Sequence, residues 1–100
     1  MSKVSIEFLS WLTETVGQPK VHEVVLDWEI GESSTVKDIL VSVAKTYPAF
    51  KKSVFDTRGE KLSGAVGIYI NGSQLELAEG LETRLKDRDA LTLFPILAGG

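Results

Sequence analysis

The sequence predicts an α+β domain in which a mixed β-sheet carries one main helix on one of its faces. Three observations lead to this prediction. The first 30 residues contain two stretches of alternating apolar and polar side chains, and residues 36–47 repeat apolar side chains at helical spacing. A hairpin pattern and a short apolar run complete the sequence. The apolar stripe of a single helix is buried most simply by packing across one face of the sheet.

The first strand is predicted to begin at Val4. Val4, Ile6 and Phe8 occupy every second position and point to one side, whereas Leu9 belongs to the set on the other side. Residues 13–20 are mostly polar and include glycine and proline, which predicts a loop. A hairpin with a long connection is expected.

The second strand is predicted over residues 21–30. Its core face would carry His22, Val24, Leu26, Trp28 and Ile30. Its other face carries the carboxylates of Glu23, Asp27 and Glu29, which could bind a cation. A solvated face that complements a basic partner is the simpler interpretation.

The main helix is predicted to begin after Thr35, because Thr35 and Asp38 have the spacing of a capping box. Pro48 should end this helix. Residues 49–55 then predict a short helical turn that places Phe50 against the core. The apolar stripe consists of Val36, Ile39, Leu40, Val43, Ala44 and Tyr47.

The second half of the sequence predicts a hairpin and a last strand. Residues 66–70 form a short apolar strand that runs into Asn71 and Gly72, the pair favoured in two-residue turns. Leu75 and Leu77 are expected on the returning strand. Residues 80–85 predict a helical turn with Leu81 and Leu85 directed inward, and residues 87–89 a further turn before the strand 91–96.

The last predicted strand is too apolar for an exposed edge, which places it centrally and parallel to the first strand. This arrangement is the β-grasp, or ubiquitin-like, fold. It leaves one sheet face uncovered, and that face should carry Leu9, Val25, Tyr69 and Phe94. An exposed apolar cluster of this kind suggests a docking surface.

Composition excludes several functions. One hundred residues support one domain, predicted over residues 1–96, with a flexible tail at 97–100. A net charge of -3 argues against nucleic-acid binding, and the absence of cysteine excludes disulfides and a cysteine nucleophile. No segment resembles a signal peptide or a membrane span, so a cytoplasmic location is expected. His22 is the only histidine and has no catalytic partner at suitable spacing.

The candidate reactive group is the carboxylate of Gly100. Leu97, Ala98, Gly99 and Gly100 follow the apolar last strand. Because glycine has no Cβ, a Gly-Gly tail can lie extended in a narrow slot of another protein. The alternative is an ordinary frayed terminus.

These features together resemble the sulfur-carrier family of the MoaD/ThiS type. This family includes the molybdopterin synthase small subunit, the thiamine-pathway carrier and the archaeal small ubiquitin-like modifiers. The matching segments are residues 12–17, 35–40, 68–72, 80–85, 87–89 and 94–100. Two positions depart from the family pattern. Thr13 stands where the family often has arginine, and Arg88 stands where it often has glycine, which would cost roughly 1 kcal/mol if Arg88 takes positive φ.

The resemblance implies that the chain is a carrier and not an enzyme. An adenylating enzyme of the ubiquitin-activating type would use ATP and Mg²⁺ to activate Gly100, and the chain itself would bind no cofactor or metal. Conversion to a thiocarboxylate would then supply sulfur to an accepting enzyme, such as the molybdopterin synthase large subunit. Gly99 would give clearance in the partner's slot, Leu97 and Ala98 would span the distance from the fold, and Phe94 and Leu9 would contact the partner.

Three functions stay open from the sequence. Molybdopterin biosynthesis is the first expectation for a sulfur carrier, beside cysteine, thiamine or transfer-RNA thiolation. The second is a protein modifier joined through Gly100 to lysines of target proteins. The third is a noncovalent β-grasp adaptor that functions without the two final glycines.

Overall fold

A mixed sheet of five strands forms the framework of the described residues, which are 2–55, 66–74 and 80–96 of the computed structural model. Its strand order is β2-β1-β5-β3-β4. The strands are β1 (Ser2–Leu9), β2 (Glu23–Ile30), β3 (Val66–Ile70), β4 (Ser73–Gln74) and β5 (Ala90–Pro95). Two helices follow β2: α1 (Val36–Thr46) and α2 (Pro48–Val54). The predicted fold class is confirmed.

The central pair of strands is the parallel pair β1 and β5. Their register aligns Ile6 with Leu91 and Phe8 with Leu93, and all four side chains are at most 1% exposed. β2 pairs with β1 and β3 pairs with β5, both antiparallel. The prediction of a central last strand, parallel to the first, is therefore confirmed.

Helix α1 covers one face of this sheet. Its stripe of Val36, Ile39, Leu40, Val43 and Ala44 is buried in the core. The predicted capping box is present, because the Asp38 N–H donates to Thr35 Oγ1 (3.2 Å) and the Thr35 N–H donates to Asp38 Oδ2 (3.0 Å). Pro48 ends α1 as predicted and also begins α2, where the first helical position needs no N–H donor.

The connection between β1 and β2 differs from the predicted loop. Residues Ser10–Val16 form a 3₁₀ helix that ends at Gly17, whose φ is 80°. Leu12 and Val16 anchor this helix, since they are 0% and 4% exposed. The sequence conceals the helix because two of its four buried residues are threonines, whose hydroxyls bond to nearby backbone carbonyls. For example, the Thr15 hydroxyl donates to the Leu12 carbonyl oxygen (2.6 Å).

The second strand begins at Glu23, two residues later than predicted. The prediction that His22 faces the core is wrong, because His22 is exposed. Backbone bonding gives the reason: the Ser10 N–H donates to the His22 carbonyl oxygen (2.9 Å), and the Thr13 hydroxyl donates to the Val21 carbonyl oxygen (2.9 Å). These bonds hold residues 21 and 22 against the 3₁₀ helix.

The Asn71–Gly72 turn is confirmed, with φ of 49° and 84°. Its asparagine also ties the turn to the start of β5, because Asn71 Oδ1 accepts from the Ala90 N–H (2.9 Å). Leu85 is buried and Leu81 is partly buried, as predicted. The predicted strand positions Leu75 and Leu77 and the loop at 56–61 lie outside the described residues.

Candidate functional site

The sheet face opposite α1 carries the residues predicted for docking. Val25 is 57% exposed and Tyr69 is 37% exposed, whereas Leu9 and Phe94 are half-buried. All four occupy the strand positions that alternate with the buried ones, so the prediction that they share the uncovered face is confirmed. We call this surface the open face.

An aromatic pair stands at the centre of the open face. The rings of Tyr69 and Phe94 are stacked, with centroids 4.7 Å apart and an angle of 26° between their planes. Such a pair contributes about 0.5–1.5 kcal/mol beyond the area it buries. Within the stack, Tyr69 is exposed to solvent and Phe94 is half-buried.

Gly67 makes this arrangement possible, and its role was not predicted from the sequence. Gly67 lies directly opposite Phe94 in the β3–β5 register. A Cβ at position 67 would lie 2.3 Å from Phe94 Cζ, so the far end of the Phe94 ring occupies the space that a side chain at position 67 would need. A glycine inside an apolar strand is a signal of such close approach, but the sequence does not say what approaches.

Leu9 and Phe94 lie at the same end of the neighbouring strands β1 and β5. Each follows by one residue the aligned pair Phe8 and Leu93 of the parallel β1–β5 register. Both therefore lie at the end of the sheet where β5 finishes at Pro95. This placement supports a shared contact surface beside the start of the tail.

Outside the aromatic pair, the open face is mostly polar apart from Leu9 and Val25. The Thr92 hydroxyl donates to Glu7 Oε1 (3.4 Å) beside the aromatic pair. Farther from the pair, β2 presents the exposed side chains of Glu23, Asp27 and Glu29. The open face thus has an aromatic half on β3 and β5 and, toward β2, a half in which acidic side chains flank the exposed Val25.

The predicted reactive residues lie outside the described residues. β5 ends at Pro95, and Ile96, the last described residue before the tail, is 41% exposed. Leu97, Ala98, Gly99 and Gly100 are not described, so the tail boundary at 97 stays a prediction. Ile96 therefore lies at the same end of β5 as Phe94, and the chain continues from there into the tail.

Thr13, which departs from the family pattern, is a structural residue. It is 1% exposed, and its hydroxyl lies within hydrogen-bonding distance of the carbonyl oxygens of Ser10 (3.0 Å) and Val21 (2.9 Å). Thr13 therefore joins the 3₁₀ helix to the chain before β2 and offers no side chain to a partner.

The described ranges contain neither a metal-binding cluster nor a membrane-spanning helix. Across residues 2–55, 66–74 and 80–96, no three acidic or histidine side chains cluster closely enough to hold a metal ion. No helix within these same ranges is both long and apolar enough to cross a membrane.

Comparison with known protein families identifies the family of this chain. The sequence profile of the ThiS family matches residues 6–100. The chain belongs to the ThiS family. The match covers both helices, the tail and all of the sheet except the first four residues of β1, so the ThiS-family assignment covers almost the entire sequence.

Individual relatives agree with this assignment. The chain is similar to small archaeal modifier protein 3 of Haloferax volcanii, with 29% identity over 98 residues, covering 98% of this chain and 99% of that protein. A protein of Archaeoglobus fulgidus provisionally named a sulfur carrier is 32% identical over 75 residues, covering 74% of this chain and 84% of its own.

The fold has solved counterparts. The solution structure of small archaeal modifier protein 1 from Methanosarcina acetivorans matches with a TM-score of 0.74 and 37% identity, covering 100% of this chain and 98% of that one. This ThiS-family chain is therefore a small ubiquitin-like carrier or modifier protein and not a catalytic enzyme.

Proposed function

We propose that this protein is a ubiquitin-like sulfur carrier whose Gly100 carboxyl group is adenylated and converted into a thiocarboxylate. The observation that carries the proposal is the ThiS-family match, which extends through residue 100. The open face supports it, because a carrier without its own catalytic groups needs a surface on which its partner enzymes can dock.

The chemistry follows from the weakness of a carboxylate as an acyl donor. A Gly100 carboxylate oxygen attacks the α-phosphorus of ATP, and pyrophosphate leaves. A sulfur nucleophile at the oxidation level of sulfide then attacks the carbonyl carbon, and AMP leaves. The product is a thiocarboxylate in which sulfur replaces one carboxylate oxygen. The ATP and Mg²⁺ belong to the activating enzyme.

In this proposal, the residues of the open face form the surface on which the activating enzyme docks. Phe94 and Leu9 contact the activating enzyme, and the exposed Tyr69 extends the same surface through its stack on Phe94. The tail residues Leu97, Ala98 and Gly99 carry Gly100 from this surface into the partner's active site. Tyr69 thus joins the two docking residues predicted from the sequence.

Intact mass measurement tests the proposal. The full chain is incubated with candidate activating enzymes of the ubiquitin-activating type, ATP, Mg²⁺ and a sulfide donor. We expect the mass increase that replacement of one oxygen by sulfur produces, and none for a variant without Gly99 and Gly100. Phe94→Ala should slow the conversion while leaving the tail intact. If no activating enzyme changes the mass of the full chain, the carrier proposal fails.

The first recipient to test is a molybdopterin synthase large subunit. A pull-down with the full chain, followed by mass spectrometry, identifies the enzyme that accepts the sulfur. Recovery of a synthase large subunit supports the molybdopterin pathway. Recovery of an enzyme of cysteine, thiamine or transfer-RNA thiolation would assign the carrier to that pathway instead.

Protein modification is the second candidate function. The names of two relatives favour it, since both are small archaeal modifier proteins. In this case a lysine amine displaces AMP from the Gly100 adenylate and forms an isopeptide bond. Digestion of proteins from native cells should then yield lysines that carry the C-terminal peptide of this chain. Their absence under all growth conditions would eliminate this candidate.

A further inference from the structure

The strand β2 lies at one edge of the described sheet and has β1 as its strand partner. The bonding of β1 shows which way the backbone of β2 points. The Ser5 N–H donates to the Asp89 carbonyl oxygen (3.0 Å), and the Lys3 carbonyl oxygen accepts from the Arg88 N–H (2.7 Å). Odd-numbered residues of β1 therefore direct their backbone groups toward the chain that enters β5, and even-numbered residues face β2.

The β1–β2 register carries this alternation into β2. Val4 aligns with Trp28 and Ile6 with Leu26, so these are the pairs that exchange backbone hydrogen bonds. The intervening residues Val25, Asp27 and Glu29 direct their N–H and C=O groups away from β1. Within the described ranges, no strand pairs with this side of β2. Such an edge is a template for the addition of another strand.

The helix side of β2 carries a half-covered apolar row. On β1, the side chains facing α1 are at most 1% exposed, whereas those of β2 on the same side are all half-buried. Helix α1 reaches this row at Trp28, whose indole N–H donates to Ser42 Oγ (3.0 Å). A strand added at the edge would cover the remaining apolar surface. The row consists of Val24, Leu26, Trp28 and Ile30.

The open-face side of β2 is acidic and determines the kind of strand that fits. Glu23, Asp27 and Glu29 are all exposed there. A second copy of β2 would bring carboxylates against carboxylates, which destabilises cross-strand pairs. Lysine or arginine at the facing positions would instead form opposite-charge pairs. Because side chains alternate along a strand, the occupant needs apolar and basic residues in alternation.

We propose that the edge of β2 binds an extended peptide of a partner protein in which aliphatic residues alternate with lysine or arginine. The peptide extends the sheet by one strand, places its aliphatic side chains beside Trp28 and Leu26, and pairs its basic side chains with Asp27 and Glu29. This site lies on the other side of β1 from the aromatic pair of β3 and β5 and uses none of the residues 97–100, so it goes beyond the carrier function.

Fluorescence anisotropy with the full chain tests the charge pattern. The probe is a labelled eight-residue peptide of alternating valine and lysine, and its control has the same composition in two blocks. The double variant Asp27→Lys, Glu29→Lys should bind the alternating peptide at least about tenfold more weakly. The matched double variant Glu14→Lys, Glu82→Lys has the same net charge, and both of its sites are exposed and lie outside β2. It should retain most of the affinity.

Two N-methylated peptides test the strand addition itself. Alternate N–H groups of a strand point to the same side, so methylation of only the lysine amides or only the valine amides blocks one edge of the peptide. We expect one of these peptides to bind normally and the other at least about tenfold more weakly. Amide hydrogen exchange should also slow at Val25, Asp27 and Glu29.

Three results would overturn the proposal: equal affinity for the two methylated peptides, equal affinity for the alternating and block peptides, or equal loss of binding in the two charge variants. Deletion of Gly99 and Gly100 separates this site from the carrier function. The deletion should abolish thiocarboxylate formation and leave peptide affinity unchanged, so either proposal can fail while the other stands.

Discussion

The two faces of the sheet are built from the same strands and differ in how completely they are covered. On the face beneath α1, the side chains of Ile6, Phe8 and Leu93 are 0% exposed. On the open face, the neighbouring residue Phe94 is half-buried and Tyr69 is 37% exposed. Adjacent residues of one strand, Leu93 and Phe94, therefore serve different purposes.

This difference separates stability from recognition along the sequence. Side chains of a strand point alternately to the two faces, so a substitution at one position leaves the opposite face largely unchanged. Residues that face α1 should determine whether the chain folds. Residues of the open face should determine what the folded chain contacts. Substitutions on the two faces can test this separation directly.

The largest effect is expected from Phe8→Ala. Phe8 is 0% exposed and packs edge-to-face on Phe50, with ring centroids 5.8 Å apart. Its truncation should lower the free energy of unfolding by about 3–5 kcal/mol. Chemical denaturation followed by circular dichroism measures the loss.

The matched control for Phe8 is Phe94→Ala on the open face. Because Phe94 is half-buried, its truncation should cost only about 1 kcal/mol of stability. It should instead weaken binding to the activating enzyme. Equal destabilisation by the two variants would show that the open face belongs to the core, contrary to the separation of the faces.

The next effect is expected at Gly67, where the open face approaches the backbone most closely. Gly67→Ala places a Cβ 2.3 Å from Phe94 Cζ, so the ring must move. We expect a loss of about 1–3 kcal/mol and a weaker Tyr69–Phe94 stack. Near-ultraviolet circular dichroism and denaturant unfolding report the two changes.

Gly31→Ala provides the comparison for Gly67. Its added Cβ would meet its nearest neighbour, Ser34 Oγ, at an ordinary 3.7 Å. Stability should then change by at most about 0.5 kcal/mol. A similar cost at the two glycines would mean that loss of glycine, rather than displacement of Phe94, explains the effect at position 67.

The features that the sequence predicted correctly depend on contacts between near neighbours. The alternation of Val4, Ile6 and Phe8, the capping box at Thr35 and the Asn71–Gly72 turn are all local patterns. The parallel placement of β5 followed from its apolar character, since an edge position would expose it. These elements determined the fold class and placed Phe94 on the open face.

The features that the sequence did not reveal depend on distant contacts. The loop predicted from residue 13 and the core placement of His22 were wrong because both regions are set by bonds between the 3₁₀ helix and the chain before β2. The role of Gly67 depends on Phe94, which is 27 residues later in the chain. The predicted reactive residue Gly100 lies outside the described residues, so its role stays a proposal.

A smaller effect is expected from Thr35→Ala, which weakens the helix that covers one face. The substitution removes the acceptor of the Asp38 N–H and should cost about 1 kcal/mol. Thr46→Ala is the control, because Thr46 lies at the other end of α1 and is exposed. Thermal unfolding should show a clear decrease only for Thr35→Ala, with unchanged binding at the open face in both variants. A loss of binding with Thr35→Ala would instead couple the two faces.

The smallest effect is expected at Arg88, which precedes β5 and has a φ of 70°. A side chain in this left-handed region is strained, but glycine there also makes the unfolded chain more flexible. Arg88→Gly should therefore raise the free energy of unfolding by only about 0.5 kcal/mol. Lys86→Gly, at a nearby position without positive φ, should lower it by a similar amount. If the free energy of unfolding rises for Arg88→Gly and falls for Lys86→Gly, backbone conformation decides the outcome. If it falls in both variants, the Arg88 side chain stabilises the turn by more than its strain costs.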